Sequence, residues 1–307
     1  MSSPKQVALV VGASRGIGRQ VAIDLARSGY KGKPSSLTAV LRKHYLDVHP
    51  NSSQSTINTV AREIEEAGGE AAAIAADTRD PEAVKNMVDQ AVATFGRLDV
   101  LVYNSGAIWW ASVENTPFKR FKLMQQVNVE GLYSTIQAAL PHFKKQQWKG
   151  RIIVVSPPMY SRFFRGKTAY SMGKVAMSVL SKGLAMDFVR EGKKDMAISS
   201  LWVATGIQSA ATVGRDEQVA KDLRKPTIFS DAVLAMLRAP ATEVNGLLEV
   251  DEDFLHKTGV TDFSKYSLVP GTSPRRIMPA KFPDLTVAEQ DDEGQRMDST
   301  KSRTSRM

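Results

Sequence analysis

Seven short apolar runs recur along the chain, separated by stretches with helical spacing. The runs are Val7–Val11, Leu37–Leu41, Ala71–Ala75, Val100–Tyr103, Arg151–Val155, Ile198–Val203 and Leu247–Val250. Between them, apolar residues return every three or four positions over Ile17–Arg27, Thr56–Ala67, Pro81–Phe95, Pro117–Phe143, Ala169–Arg190 and Ser230–Leu237. Several of these stretches open at proline or serine and close at glycine, as helix-end chemistry demands. Regular strand–helix alternation predicts an α/β chain: a Rossmann-type doubly wound parallel sheet between two helical layers, in one domain. The runs are too apolar to leave one face in water, so burial on both faces is expected. Residues 43–55, with His44, His49, Pro50 and a cluster of Ser, Asn and Gln, read as an extended loop. Residues 1–284 are read as the folded domain, and 285–307 as a polar, disordered tail without apolar periodicity.

Composition narrows the function classes. The chain of 307 residues is 42% apolar and 24% charged, ordinary for a globular protein. It has no cysteine, which excludes disulfides, thiolate metal sites and cysteine nucleophiles, and no metal site is expected. The formal charge is +9, but the basic residues are spread along the chain, so a solvated basic surface is expected and no nucleic-acid partner. No apolar run is long enough for a membrane-spanning helix. The final Ser305-Arg306-Met307 has the small–basic–aliphatic form of a peroxisomal address, so a peroxisomal location and an import-receptor partner are expected, with the cytoplasm as the other reading.

Candidate chemistry begins where the first strand ends. Val7–Val11 runs into Gly12-Ala13-Ser14-Arg15-Gly16-Ile17-Gly18 and then a helix. Glycines allow a tight turn and close approach of backbone amides to phosphate, and the helix N-terminus attracts the anion. A dinucleotide cofactor is therefore expected here. The second strand closes at Arg42-Lys43 with no carboxylate before Asp47, and Arg15 lies in the glycine loop. Cations at these positions suit a 2′-phosphate, so NADP(H) is expected ahead of NAD(H).

Tyr170 and Lys174 stand four residues apart in the sixth helical stretch and share a helix face. A phenol titrates near pH 10 in water, too high for efficient proton exchange at neutrality; a neighbouring ammonium and an oxidised nicotinamide would both favour its anion. Tyr170 is thus the candidate acid/base for a carbonyl–alcohol interconversion.

Gly12-x-x-x-Gly16-x-Gly18, Asn104-Ser105-Gly106-Ala107, Asn128 and Tyr170-x-x-x-Lys174 occur in the order and spacing of the short-chain dehydrogenase/reductase superfamily, which residues 5–255 resemble. Ser156-Pro157-Pro158, Leu201-Trp202, Gly246 to Asp253 and Tyr266-x-x-x-Pro270-Gly271 look like its hydroxysteroid dehydrogenase-like protein 2 branch. Many members of that branch carry a C-terminal sterol-carrier domain, which is not expected here. The resemblance implies that Gly12, Ser14, Arg15, Gly16, Ile17 and Gly18 hold the pyrophosphate, that Asp77 meets the adenine, and that Asn104 and Gly106 line the adenosine ribose. It implies further that Asn128 holds a relay water, that Lys174 binds the nicotinamide ribose, and that Thr205 and Ile207 face the carboxamide. It also implies a homodimer or homotetramer.

The sequence departs from the family pattern at the serine expected 13 residues before the tyrosine, where Pro157 stands. Ser156 is the candidate substitute and Ser161 a weaker one. Val203-Ala204 replaces the usual Pro-Gly, Val11 the usual threonine before the first glycine, and Ser105 the second asparagine. Trp109, Trp110, Met159, Tyr160, Phe163, Phe164 and Trp202 fall in loops beyond the strand ends, and residues 206–224 read as a lid. These aromatics imply an apolar carbonyl or alcohol substrate of fatty-acyl, polyketide or terpenoid type. Pro157 keeps a second reading open: a nicotinamide-nucleotide-binding protein of this fold with little or no turnover.

Overall fold

A computed structural model describes residues 6–32, 36–41, 56–209 and 217–282. Arg42, Lys43, the rest of the 43–55 loop, the whole of the expected tail with its terminal tripeptide, and 210–216 of the expected lid lie outside the described residues.

The chain runs β1 (Ala8–Val11), α1 (Gly16–Gly32), β2 (Ser36–Leu41), α2 (Ile57–Glu66), β3 (Glu70–Ala75), α3 (Pro81–Phe95) and β4 (Val100–Tyr103). It continues through α4 (Phe118–Met124), a π-helical turn (Gln125–Glu130), α5 (Gly131–Lys145), β5 (Gly150–Val155), α6 (Thr168–Arg190) and β6 (Met196–Trp202). The short elements β7 (Gly206–Ile207), α7 (Glu217–Lys221), β8 (Leu223–Arg224), α8 (Thr227–Arg238), α9 (Ala241–Val244), β9 (Leu248–Val250) and α10 (Asp251–Lys257) complete it.

Local signals account for the element ends. Asp80 caps α3 by accepting from the Glu82 and Ala83 amides, Pro81 opens the helix, and Gly96 closes it at φ 81°. Thr56 and Thr59 exchange hydrogen bonds as a reciprocal cap on α2.

Seven strands form one parallel sheet in the order β3-β2-β1-β4-β5-β6-β9. The order reverses between β1 and β4, which opens a crevice beyond their carboxyl ends, where this architecture binds ligands. Val11 pairs with Tyr103, so Gly12 and Asn104 leave the sheet side by side.

Alternate residues of β1 enter opposite cores. Leu9 and Val11 join Met87, Leu132, Phe143 and Phe188 from α3, α5 and α6. Val10 joins Val21, Leu25, Phe229, Val233 and Phe254 from α1, α8 and α10. Two-sided burial therefore holds for the central strands. It fails for β3, where Ile74 is the one buried residue, because a sheet-edge strand is only partly covered.

The stretch expected as one helix over 117–143 is broken by the π turn. Gly131 makes this possible: a Cβ there would fall 2.5 Å from the Tyr103 hydroxyl and 2.8 Å from the Thr78 carbonyl. Its absence lets the turn reach β4, where the Tyr103 hydroxyl donates to the Val127 carbonyl at 2.5 Å. A π turn carries an extra residue, and here it presents buried Asn128 to the crevice.

Beyond β6 the chain is held by a carboxylate cluster. Asp251, fully buried, accepts from the Ala204 and Glu252 amides, both at 2.8 Å. Glu252 pairs with Arg224, and Asp253 with Arg276. Burial pushes the Asp251 carboxyl up to about 7. The unfolded value is about 4, so between about pH 4 and 7 the folded state holds the extra proton and stability falls as pH rises. Replacing Asp251 with Asn should flatten that decline in urea melts across this window; an unchanged slope would show that Asp251 does not cause it.

Candidate active site

The glycine loop is shaped by close approach. A Cβ on Gly12 (φ 88°) would fall 2.7 Å from the Ser105 amide nitrogen, and one on Gly18 would collide with the Gly12 carbonyl. Asn104 crosses from the end of β4, and its Nδ2 donates to the Gly12 carbonyl at 2.9 Å. Gly16 (φ 54°) faces open space, and α1 has no acidic residue in its first turn, so its positive end is uncompensated. Ser14 and Ile17 are half-buried in this turn and Arg15 is exposed.

On the other side of the switch point, the first turns of α6 bring Tyr170 and Lys174 into the crevice wall. The Tyr170 ring lies between Trp110 (centroids 6.3 Å apart) and Phe163 (6.2 Å). Lys174 Nζ donates to the Val155 carbonyl at 2.7 Å and sits 5.4 Å from the centre of the Trp202 ring. A Cβ on Gly106 would stand 3.5 Å from Asn128 Oδ1 and 3.6 Å from Lys174 Nζ, so this glycine leaves a gap edged by both groups. The Asn128 amide grips the backbone of one residue: Oδ1 accepts from the Ala107 N–H (2.8 Å), and Nδ2 donates to the Ala107 carbonyl (3.1 Å). Asn128 therefore fixes the loop after β4.

The electrostatics differ from the sequence expectation. Burial pushes the Tyr170 phenol above its usual range and lowers the Lys174 amine to about 7. Both charged forms are penalised by the same desolvation. Burial thus opposes acidification of the phenol: Tyr170 stays protonated at neutral pH, while Lys174 titrates close to it.

Ser156 also departs from expectation. Its side chain, fully buried, donates to Ser200 at 2.8 Å and accepts from Ser178 at 3.0 Å. The Ser178 hydroxyl proton is shared with the Pro157 carbonyl, 2.6 Å away, and Ser200 donates to Ser181 at 2.9 Å. Side chains alternate along an extended chain, so a serine one position before the family site points to the opposite side, into this seam between β5, β6 and α6. The structure does not bring Ser156 to Tyr170. The Ser161 side chain lies outside the described ones.

Of the remaining expected cofactor residues, Asp77 has its carboxylate gripped by the Arg79 guanidinium and the Arg79 amide. Thr205 is fully buried beyond β6, and Ile207 packs into the core beside α1 and α8. Arg42 and Lys43 lie outside the described residues. Three features escaped the sequence reading. Asp251 clamps Ala204 from 47 residues away. Met278 and Phe282 return from beyond α10 to pack with Tyr160 and Tyr170. Lys167 rests on the aromatic rings beside Tyr170. Only the last had a local signal, its place three residues before the tyrosine.

These groups fit a dinucleotide. Gly16 leaves room beside an uncompensated helix end, and Gly106 leaves a gap beside Lys174. Thr205 Oγ1 and Trp202 Nε1 are buried without a hydrogen-bond partner at the far end of the crevice. Among the described residues no three His, Cys, Asp or Glu side chains gather as a metal site would require.

A short chain dehydrogenase family profile matches residues 6–216. The chain belongs to the short-chain dehydrogenase family. Its fold and family are those of an NAD(P)-dependent oxidoreductase. Hydroxysteroid dehydrogenase-like protein 2 of Danio rerio is 37% identical over 266 residues, covering 85% of this chain and 60% of the relative. The Xenopus tropicalis protein of the same description is 34% identical over the same shares. The chain thus spans about 60% of the length of these curated relatives. A crystal structure of a short chain dehydrogenase from Mycobacterium thermoresistibile is 35% identical, with a TM-score of 0.77 over 89% of this chain and 94% of the other. A putative dehydrogenase from Xanthomonas campestris is 32% identical, with a TM-score of 0.76 over 94% of this chain and 100% of the other.

The serine seam yields a direct test. Ser156→Ala removes two hydrogen bonds from the buried seam and should lower stability by about 1–2 kcal/mol in urea melts while leaving nucleotide binding intact. A variant as stable as the parent that has lost turnover would return Ser156 to the reaction centre.

Proposed function

We propose that this chain is an NADP(H)-dependent reductase moving hydride between the nicotinamide and an apolar carbonyl or alcohol of fatty-acyl, polyketide or terpenoid type. The observation that carries the proposal is the convergence of Tyr170, Lys174, Asn128 and Gly106 at the strand ends that also bear the glycine loop. Gly12, Ser14, Arg15, Gly16, Ile17 and Gly18 would hold the pyrophosphate at the start of α1, Asp77 the adenine, and Asn104 the loop's shape. Arg15, with Arg42 and Lys43, supplies the cations for a 2′-phosphate. Thr205 Oγ1 and the turn to Ile207 offer the carboxamide its partners.

When bound, the nicotinamide supplies or accepts the hydride. Tyr170 gives its proton to the carbonyl oxygen as that oxygen becomes an alkoxide, and a phenol held protonated by burial is already in the donating form. Lys174 would bind the ribose hydroxyls and, in its ammonium form, return a proton to the phenolate. Asn128 would hold a relay water beside Lys174. Trp110, Phe163, Trp202 and Tyr160 form the apolar walls. Exposed Met172, Val179 and Met186, spaced seven apart on α6, with Tyr133 on α5, form the face through which the chain pairs as a homodimer or homotetramer.

A second reading, nucleotide binding with little or no turnover, is favoured by one observation. Pro157 has no hydroxyl, and the Ser156 hydroxyl is committed elsewhere.

One experiment separates the two. Purified protein is mixed with NADPH or NADH and a panel of aliphatic, aromatic and steroid ketones, then the assay is repeated with Tyr170→Phe. Phe keeps the ring packing, so NADPH binding should persist while turnover falls by about 10²-fold or more. Tighter binding of NADH would refute the cofactor preference. Absence of any Tyr170-dependent oxidation would favour the second reading.

A further inference from the structure

The mouth of the crevice holds a cation that the reductase chemistry does not use. Lys167 Nζ lies 4.5 Å from the centre of the Phe163 ring and 5.3 Å from that of Trp110. These two rings flank Tyr170, at 6.2 and 6.3 Å. The ammonium is therefore separated from the acid/base phenol by one layer of aromatic side chain. Among the described residues it has no carboxylate partner. Burial lowers its pKa from the usual lysine value, as befits a cation set on ring faces without a counter-charge. The surroundings add to its field. Exposed Arg165 stands two residues earlier, and α6 begins beside Lys167 with no side-chain cap and no acidic residue in its first turn. On the opposite rim the Arg120 guanidinium covers the Trp109 ring at 4.7 Å.

Aromatic side chains packed around a phenol, with an ammonium lacking a carboxylate partner on their outer faces, match an acidic oxo compound. Its carbon chain would lie on Trp110 and Phe163, its carbonyl would meet Tyr170, and its carboxylate would meet Lys167. We propose that Lys167 is a specificity-determining residue that selects substrates carrying a carboxylate a few bonds from the reacting carbonyl. The proposal rests on the reductase reading for the position of the carbonyl.

The test is equilibrium binding, so it does not depend on turnover. The full chain is saturated with NADP+, which prevents reduction, and titrated calorimetrically with 4-oxononanoate and with its methyl ester. The acid should bind more tightly than the ester, and added salt should erode the difference. Lys167→Met should weaken acid binding by about tenfold and bring the two ligands together, whereas Lys167→Arg should keep most of the preference. Thermal melts matching the parent confirm that both variants fold. The proposal is overturned if parent protein binds acid and ester equally or shows no saturable binding of the acid. It is also overturned if Lys167→Met holds the acid as tightly as the parent. Failure of the reductase reading looks different: acid selectivity dependent on Lys167 would persist, with no Tyr170-dependent reduction of the acid by NADPH.

Discussion

The proposed chemistry turns on a buried amine. Lys174 enters the crevice wall from the second turn of α6 and is almost wholly removed from water, with the Val155 carbonyl as its hydrogen-bond acceptor. Such burial disfavours the charge strongly enough to bring the amine close to neutrality. The amine is also placed within reach of everything the site needs: the gap left by Gly106, the Asn128 amide and the Tyr170 helix turn. Any ligand bringing negative charge or hydroxyl acceptors into that gap would stabilise the ammonium. Burial thus holds the phenol protonated and draws the amine toward its neutral form, whereas a ligand in the gap would favour a charged amine beside a phenol.

The fold arranges this without strained chemistry. Parallel strands bury alternate residues on opposite faces, so β1 and β4 end together and project the glycine loop and Asn104 from one edge. The π turn then carries Asn128 to the Ala107 peptide, and Gly131 supplies the space to do so. At the far side, Asp251 holds Ala204, which also accepts from the Ile277 and Met278 amides. This end of the crevice is therefore built from three segments distant in sequence.

That difference explains what could be read from the chain alone. Strands such as Val100–Tyr103 and helices such as Pro81–Phe95 were legible to the residue, because apolar period and end chemistry are local signals. The glycine spacing and the Tyr170–Lys174 pair were legible because helix geometry sets which residues share a face. The π turn was not legible, since its cause is contact between Gly131 and Tyr103, 28 residues apart. The direction of the Tyr170 shift was also hidden: proximity to Lys174 was visible in spacing, whereas common burial overrode it. Ser156 shows the limit most sharply, because a one-residue offset next to Pro157 turns its hydroxyl into a core seam shared with Ser178, Ser181 and Ser200. Arg42 and Lys43, on which the expected cofactor preference rests, lie outside the described residues.

The state of Lys174 can be observed without any substrate. In protein carrying lysine labelled with carbon-13 at the ε position, the Lys174 resonance, assigned by its loss in Lys174→Met, can be followed by NMR from pH 5 to 11. The account requires a midpoint near 7 in the free protein, moving upward when NADPH is added. A midpoint at the ordinary lysine value of about 10.4 in the free protein would contradict it, because the amine would then be solvated rather than held in the crevice wall.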